Sequence, residues 1–135
     1  MKCNLDPEKL KNEFGIQRIN KIPKIFTPDY EVGVVNGCSE TVADMLKRIE
    51  YCISFIKANF DVDQKKYAET LKFLKFFEGY LKNKRPKMQS KQILHYVVDV
   101  VHEIEDMHAE NDEIKKKNEE IALTLNMLID LYERH

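Results

Sequence analysis

Two short stretches of this chain pair a carboxylate with an imidazole at helical spacing: Glu105-Asp106-Met107-His108, which reads E-x-x-H, and Asp99-Val100-Val101-His102. Such pairs on two facing helices, completed by two more inward carboxylates, hold a di-iron centre. Here both pairs fall in one helical stretch, and its apolar pattern turns Asp99 and His102 outward. The upstream helices offer no core carboxylate to complete a ligand set, so no metal or other cofactor is expected. Cys3, Cys38 and Cys52 show no C-x-x-C spacing, no Ser or Cys has a recognisable base nearby, and there is no glycine-rich phosphate loop. The chain therefore reads as non-enzymatic.

The strongest pattern is the stretch that carries those pairs. From Ile93 the residues Val97, Val100, Ile104, Met107, Asn111, Ile114, Asn118, Ile121, Leu125, Leu128 and Tyr132 follow at spacings of 4 and 3 without a slip. That is the repeat that keeps one seam of a helix facing a partner helix. No Gly or Pro interrupts it after Lys87. The expectation is one long helix that pairs with a second copy as a parallel coiled coil. Asn111 and Asn118, both at a positions, would pair across the seam and set its register, and Glu110 would face Lys115 of the other chain. The expected dimer interface comprises Ile104, Met107, Asn111, Ile114, Asn118, Ile121, Leu125, Leu128 and Tyr132. The alternative is a compact four-helix bundle with a turn near residues 109–112, where Asn and Asp can cap a new helix.

The elements before this ladder are helical too. Val42, Met45, Leu46, Ile49, Cys52, Ile53, Ile56 and Phe60 form one apolar stripe after a cap at Ser39 or Thr41. Asp61 or Asp63 starts the next helix, which has two stripes: Tyr67, Leu71, Leu74, Phe77 and Leu81, then Phe73, Phe76 and Tyr80. Together they span an apolar arc of about 220°, enough to touch two neighbours. Phe73, Phe76 and Tyr80 are candidates for binding a partner protein, or else lie under the N-terminal arm. That arm begins with a helix start at Asp6-Pro7-Glu8. It continues as an extended, isoleucine-rich segment in which Val32 to Val35 suits a short strand ending at Asn36-Gly37. Thr27-Pro28 reads as a turn or a proline-directed phosphosite.

The 135 residues carry a net charge of −1 and a 43% hydrophobic content, as in a single domain with a modest core. Charge is distributed unevenly. Lys65 to Lys91 holds nine Lys or Arg against Glu69 and Glu78, whereas Glu103 to Glu120 holds eight acids against three lysines. Lys82, Lys84, Arg85, Lys87 and Lys91 form a basic patch that suits phosphates or acidic lipid, although nucleic acid is not the expected partner. The N-terminus has no secretory signal and no run of residues suits a membrane span. The odd cysteine count suggests free thiols in a reducing, cytoplasmic or nuclear, compartment.

The sequence thus predicts an all-α protein. Residues 1–38 form a short helix plus extended arm, 39–104 a helical head built on the hairpin 39–84, and 105–135 a coiled-coil stalk that suits a longer protein. The function expected is a dimeric scaffold or adaptor, an architecture common among cytoskeletal proteins, whose head binds another protein. The rival functions are an anionic-surface or nucleic-acid module using residues 82–91, and a monomeric four-helix bundle.

Overall fold

Gly37, at φ +79°, turns a strand β1 (Glu31–Val35) back onto β2 (Cys38–Thr41) as an antiparallel hairpin, a backbone angle that glycine adopts without steric cost. The computed structural model describes residues 25–35, 37–87 and 90–133. The proposed helix at Asp6 and the isoleucines up to Ile22 lie outside them. The strand expected at Val32–Val35 thus has a partner, and Ser39 belongs to that partner rather than to a helix cap. Thr41 ends β2 and caps α1 (Val42–Asn59) with a reciprocal capping box: its hydroxyl accepts the Asp44 N–H, and the Asp44 carboxylate accepts the Thr41 N–H. The two donors before Asp44 are also used. The Val42 N–H donates to the Tyr30 carbonyl (2.8 Å) and the Ala43 N–H to the Pro28 carbonyl (3.0 Å). The Thr27-Pro28 turn therefore closes the start of α1, where free amides would otherwise face the interior.

α2 (Lys65–Leu81) follows the turn at Asp61–Gln64, with Gln64 at the cap position. Phe60 stacks on Tyr67 across that turn, ring centroids 4.6 Å apart. The link from Lys82 to α3 (Ile93–Glu105) departs through Asn83 at φ 64° and Arg85 at φ 47°. The Asn83 amide reaches back to Phe26: its Nδ2 donates to the Phe26 carbonyl at 2.9 Å and its Oδ1 accepts the Phe26 N–H. This side chain acts like one rung of a strand, tying residues before β1 to the α2–α3 link.

The helix expected to run unbroken from α3 to the C-terminus is interrupted. α3 ends at Glu105, six residues form a hinge, and α4 (Asp112–Glu133) begins anew. Asn111 caps it, its Oδ1 accepting the Ile114 N–H at 2.9 Å. Helices adjacent in sequence pack together, and α4 also packs on α1, which closes a four-helix ring. Among the described residues the architecture is thus the four-helix alternative with a small hairpin. Neither Gly nor Pro causes the break. Helix propagation is worth at most a few tenths of a kcal/mol per residue, so unwinding six residues costs about 2 kcal/mol or less. Burying Ile121, Leu125, Leu128 and Tyr132 within the same chain contributes about 6–12 kcal/mol. A two-stranded seam would cover those four as well. It would leave out Ala122, Thr124 and Ile129, which are also buried here and give α4 a face too broad for a single neighbour.

Because Asp112 is the first residue of α4, a proline there removes no helical hydrogen bond and has the φ that a first helical position takes. Asp112→Pro is expected to change stability by less than about 1 kcal/mol, and Asn111→Ala to cost about 1 kcal/mol through loss of the cap, both read by urea denaturation.

Candidate functional site

The hinge leaves a cleft where α3 and α4 diverge. The end of α3, Met107 to Ala109 of the hinge, and Lys115 to Asn126 of α4 enclose an open groove of about 580 Å³. Ile104, Met107, Ala122 and Leu123 make its apolar walls; Glu105, His108, Lys115, Glu119 and Asn126 supply polar groups. Leu123 is 37% exposed, more than its size and hydrophobicity favour. Asn118 also lines the groove. It is only 6% exposed, and neither its amide oxygen nor its amide nitrogen has a hydrogen-bond partner among the described residues. A buried amide left without partners costs about 1–3 kcal/mol, so the groove holds unused hydrogen-bonding capacity.

The residues expected at a dimer seam are distributed differently. Ile104, Asn118, Ile121, Leu125, Leu128 and Tyr132 are buried within the one chain. Met107 is half-buried, Asn111 is the α4 cap, and Ile114 is 37% exposed. The partner-binding candidates are also mostly internal. Phe73 and Phe76 are buried, their rings 5.3 and 5.5 Å from that of Tyr132. Half-buried Tyr80 meets Phe26 edge-on at 5.0 Å, so the segment before β1 covers this stripe. The wide apolar arc of α2 is thereby satisfied inside the molecule.

Of the basic patch, Lys82, Lys84, Arg85 and Lys87 are exposed and make no ion pair among the described residues. Lys91 donates from Nζ to the Glu133 carbonyl at 2.9 Å, at the other end of the chain. Among the described residues no three His, Cys, Asp or Glu converge around the E-x-x-H pairs. His102 lies 3.6 Å from Glu105 on the surface, and Glu105 and His108 stand on the groove rim. The expectation of three free thiols is corrected. Cys38 is disulfide-bonded, while Cys52 is free, fully buried in α1, and pushed up by that burial to about 12.

Two polar clusters join elements distant in sequence. Glu40, 3% exposed at the end of β2, accepts from both Nε and Nη2 of Arg48 on α1. The Nη1 of Arg48 reaches Glu120 on α4 at 2.6 Å. Burial works against the Arg48 cation, but the two carboxylates more than compensate and raise its pKa. The second cluster joins α2 to α3: Lys66 and the Tyr67 hydroxyl both donate to the Glu103 carboxylate. Burial pushes that carboxyl up, and the two donors outweigh it, leaving it below its ordinary 4.5. Neither cluster was visible beforehand, because partners 72 and 37 residues apart leave no local signal. Asn118 did stand out as a polar residue on an apolar seam.

Arg48→Ala leaves Glu40 buried without a counterion and should cost about 2–4 kcal/mol; the double variant Arg48→Met, Glu40→Met should recover most of that in thermal denaturation. The lowered carboxyl of Glu103 contributes stability that is complete above its ordinary value and is lost as pH falls through the lowered one. Urea midpoints taken from about pH 6 down to about pH 3 should therefore fall more steeply for the wild type than for Glu103→Gln. No helix among the described residues is long and apolar enough to cross a membrane. No protein-family model, curated protein or solved structure matches this chain.

Proposed function

We propose that this chain is a non-enzymatic binding module, an adaptor-like helical bundle that receives an extended segment of another protein in the α3–α4 groove. The observation that carries this reading is the Asn118 side chain, buried, without a hydrogen-bond partner among the described residues, and lining the groove. A primary amide offers one acceptor and two donors side by side. An extended peptide presents the complementary N–H and C=O from a single residue, and backbone hydrogen bonds of this kind carry affinity in peptide recognition while pockets read side chains. The apolar walls at Met107, Ala122 and Leu123 suit one aliphatic side chain of that peptide. Lys115 and Glu119 on the rim suit flanking charges of either sign.

A second reading rests on the four exposed cations of the α2–α3 link, Lys82, Lys84, Arg85 and Lys87, held on a backbone braced by Asn83. Binding to an anionic surface through them would weaken steeply with salt, whereas peptide binding in the groove would not.

Replacing the unsatisfied amide with an apolar group of similar volume removes its desolvation cost. Asn118→Leu is thus expected to raise stability by about 1–2 kcal/mol while abolishing binding. The probe is a panel of acetylated, amidated pentapeptides with a central Leu or Val, titrated into the ¹⁵N-labelled chain. Amide shifts confined to residues 104–109 and 115–126, and lost in Asn118→Leu, are expected. Absence of shifts across the panel, or equal binding by Asn118→Leu, would overturn the reading.

A further inference from the structure

The 4, 3 ladder runs through the hinge in unbroken phase, although a chain that turns back has no need to keep it. The members on α3 and α4 are buried, with Ile114 the exception; the three that the fold leaves out of the buried core are Met107, Asn111 and Ile114, at and just beyond the hinge. Ile114 is a d-position isoleucine that stands 37% exposed. These facts have one explanation in common: the hinge residues also serve a conformation in which the helix is continuous.

We propose that this chain forms a domain-swapped homodimer, in which the hinge straightens and α4 of each copy occupies the place that α4 of the other has left. The occupant of the vacated trough is then a second copy of this chain, and every contact of α4 with α1, α3 and β1 is remade between copies. This accounts for the absence of Gly and Pro in the hinge, whose residues are all compatible with a helix. The straightened helices run antiparallel, because α4 enters the partner in the orientation it has in the single chain. They cross at the hinge, where Met107, Asn111 and Ile114 gain a neighbouring helix that the monomer lacks. Exchanging an identical element in this way costs little besides association, since interior contacts are conserved. This proposal rests on the ladder and the hinge, and not on the Asn118 amide that carries the peptide-binding reading.

Two substitutions should move the equilibrium in opposite directions. Asn111→Ala removes the cap that favours the turned form and supplies a good helix former to the straight one, so the dimer fraction should rise roughly tenfold. Asp112→Pro suits the first position of α4 but not the interior of a continuous helix, where its ring meets the His108 carbonyl. The chain and both variants are refolded from urea at millimolar and micromolar concentrations, then measured by size exclusion with light scattering, with circular dichroism confirming helix content. The expected result is a species of twice the 16.0 kDa chain mass after refolding at high concentration. It should revert to monomer only slowly on dilution, be enriched in Asn111→Ala and be missing from Asp112→Pro. A wild type that is monomeric throughout, or a dimer equally abundant in folded Asp112→Pro, would overturn the proposal.

Discussion

The structure depends on covering the broad apolar face of α4. One facing helix could cover Ile121, Leu125, Leu128 and Tyr132, but Ala122, Thr124 and Ile129 widen the buried face beyond its reach. Only a trough lined by several elements answers that demand. The hairpin of α1 and α2, together with α3, forms such a trough. At its centre the Tyr132 ring meets Phe73, Phe76 and Phe77 at centroid distances of 5.3 to 6.0 Å, in the tilted and edge-on geometries that aromatic quadrupoles favour. The aromatic richness of α2 is the other half of the same contact, and for that reason it is not a surface available to another protein.

Polar groups then fix how the covered elements sit. Arg48 ties the hairpin, α1 and α4 through Glu40 and Glu120, while Glu103 ties α3 to α2. The Pro28 and Tyr30 carbonyls close the start of α1, and Asn83 holds the backbone of Phe26. The Arg48–Glu120 and Asn83–Phe26 ties join segments far apart in sequence, and a buried charge such as Glu40 tolerates little displacement from its partner. Against this background of satisfied groups, the Asn118 amide, unpaired among the described residues, departs from local consistency. Such departures are expected where a site gives up stability to function.

The hinge joins the two readings physically. Met107, His108 and Ala109 form part of the groove wall only while the chain turns back. Straightening the helix would take that wall away, so a peptide bound in the groove and an exchanged α4 would compete for one segment. A ligand that binds one conformation alone shifts the population toward it in proportion to that differential affinity.

Helix identity, the stripes of α1 and α2, the cap at Thr41 and the four-helix alternative were legible in the sequence because they rest on local chemistry: 3.6-residue periodicity, capping side chains and turn-forming residues. The strand at Val32–Val35 was legible as well, though its partner was not, since Cys38–Thr41 also reads as a helix approach. Whether the ladder from Ile93 to Tyr132 meets a second chain or turns back on its own was decided only by tertiary structure. Both arrangements bury the same seam, and the heptad pattern does not count how many neighbours a face must touch. The groove was likewise beyond sequence reading. It exists because two helices diverge from a hinge, and Asn118 acquires its meaning from being buried there with no hydrogen-bond partner among the described residues.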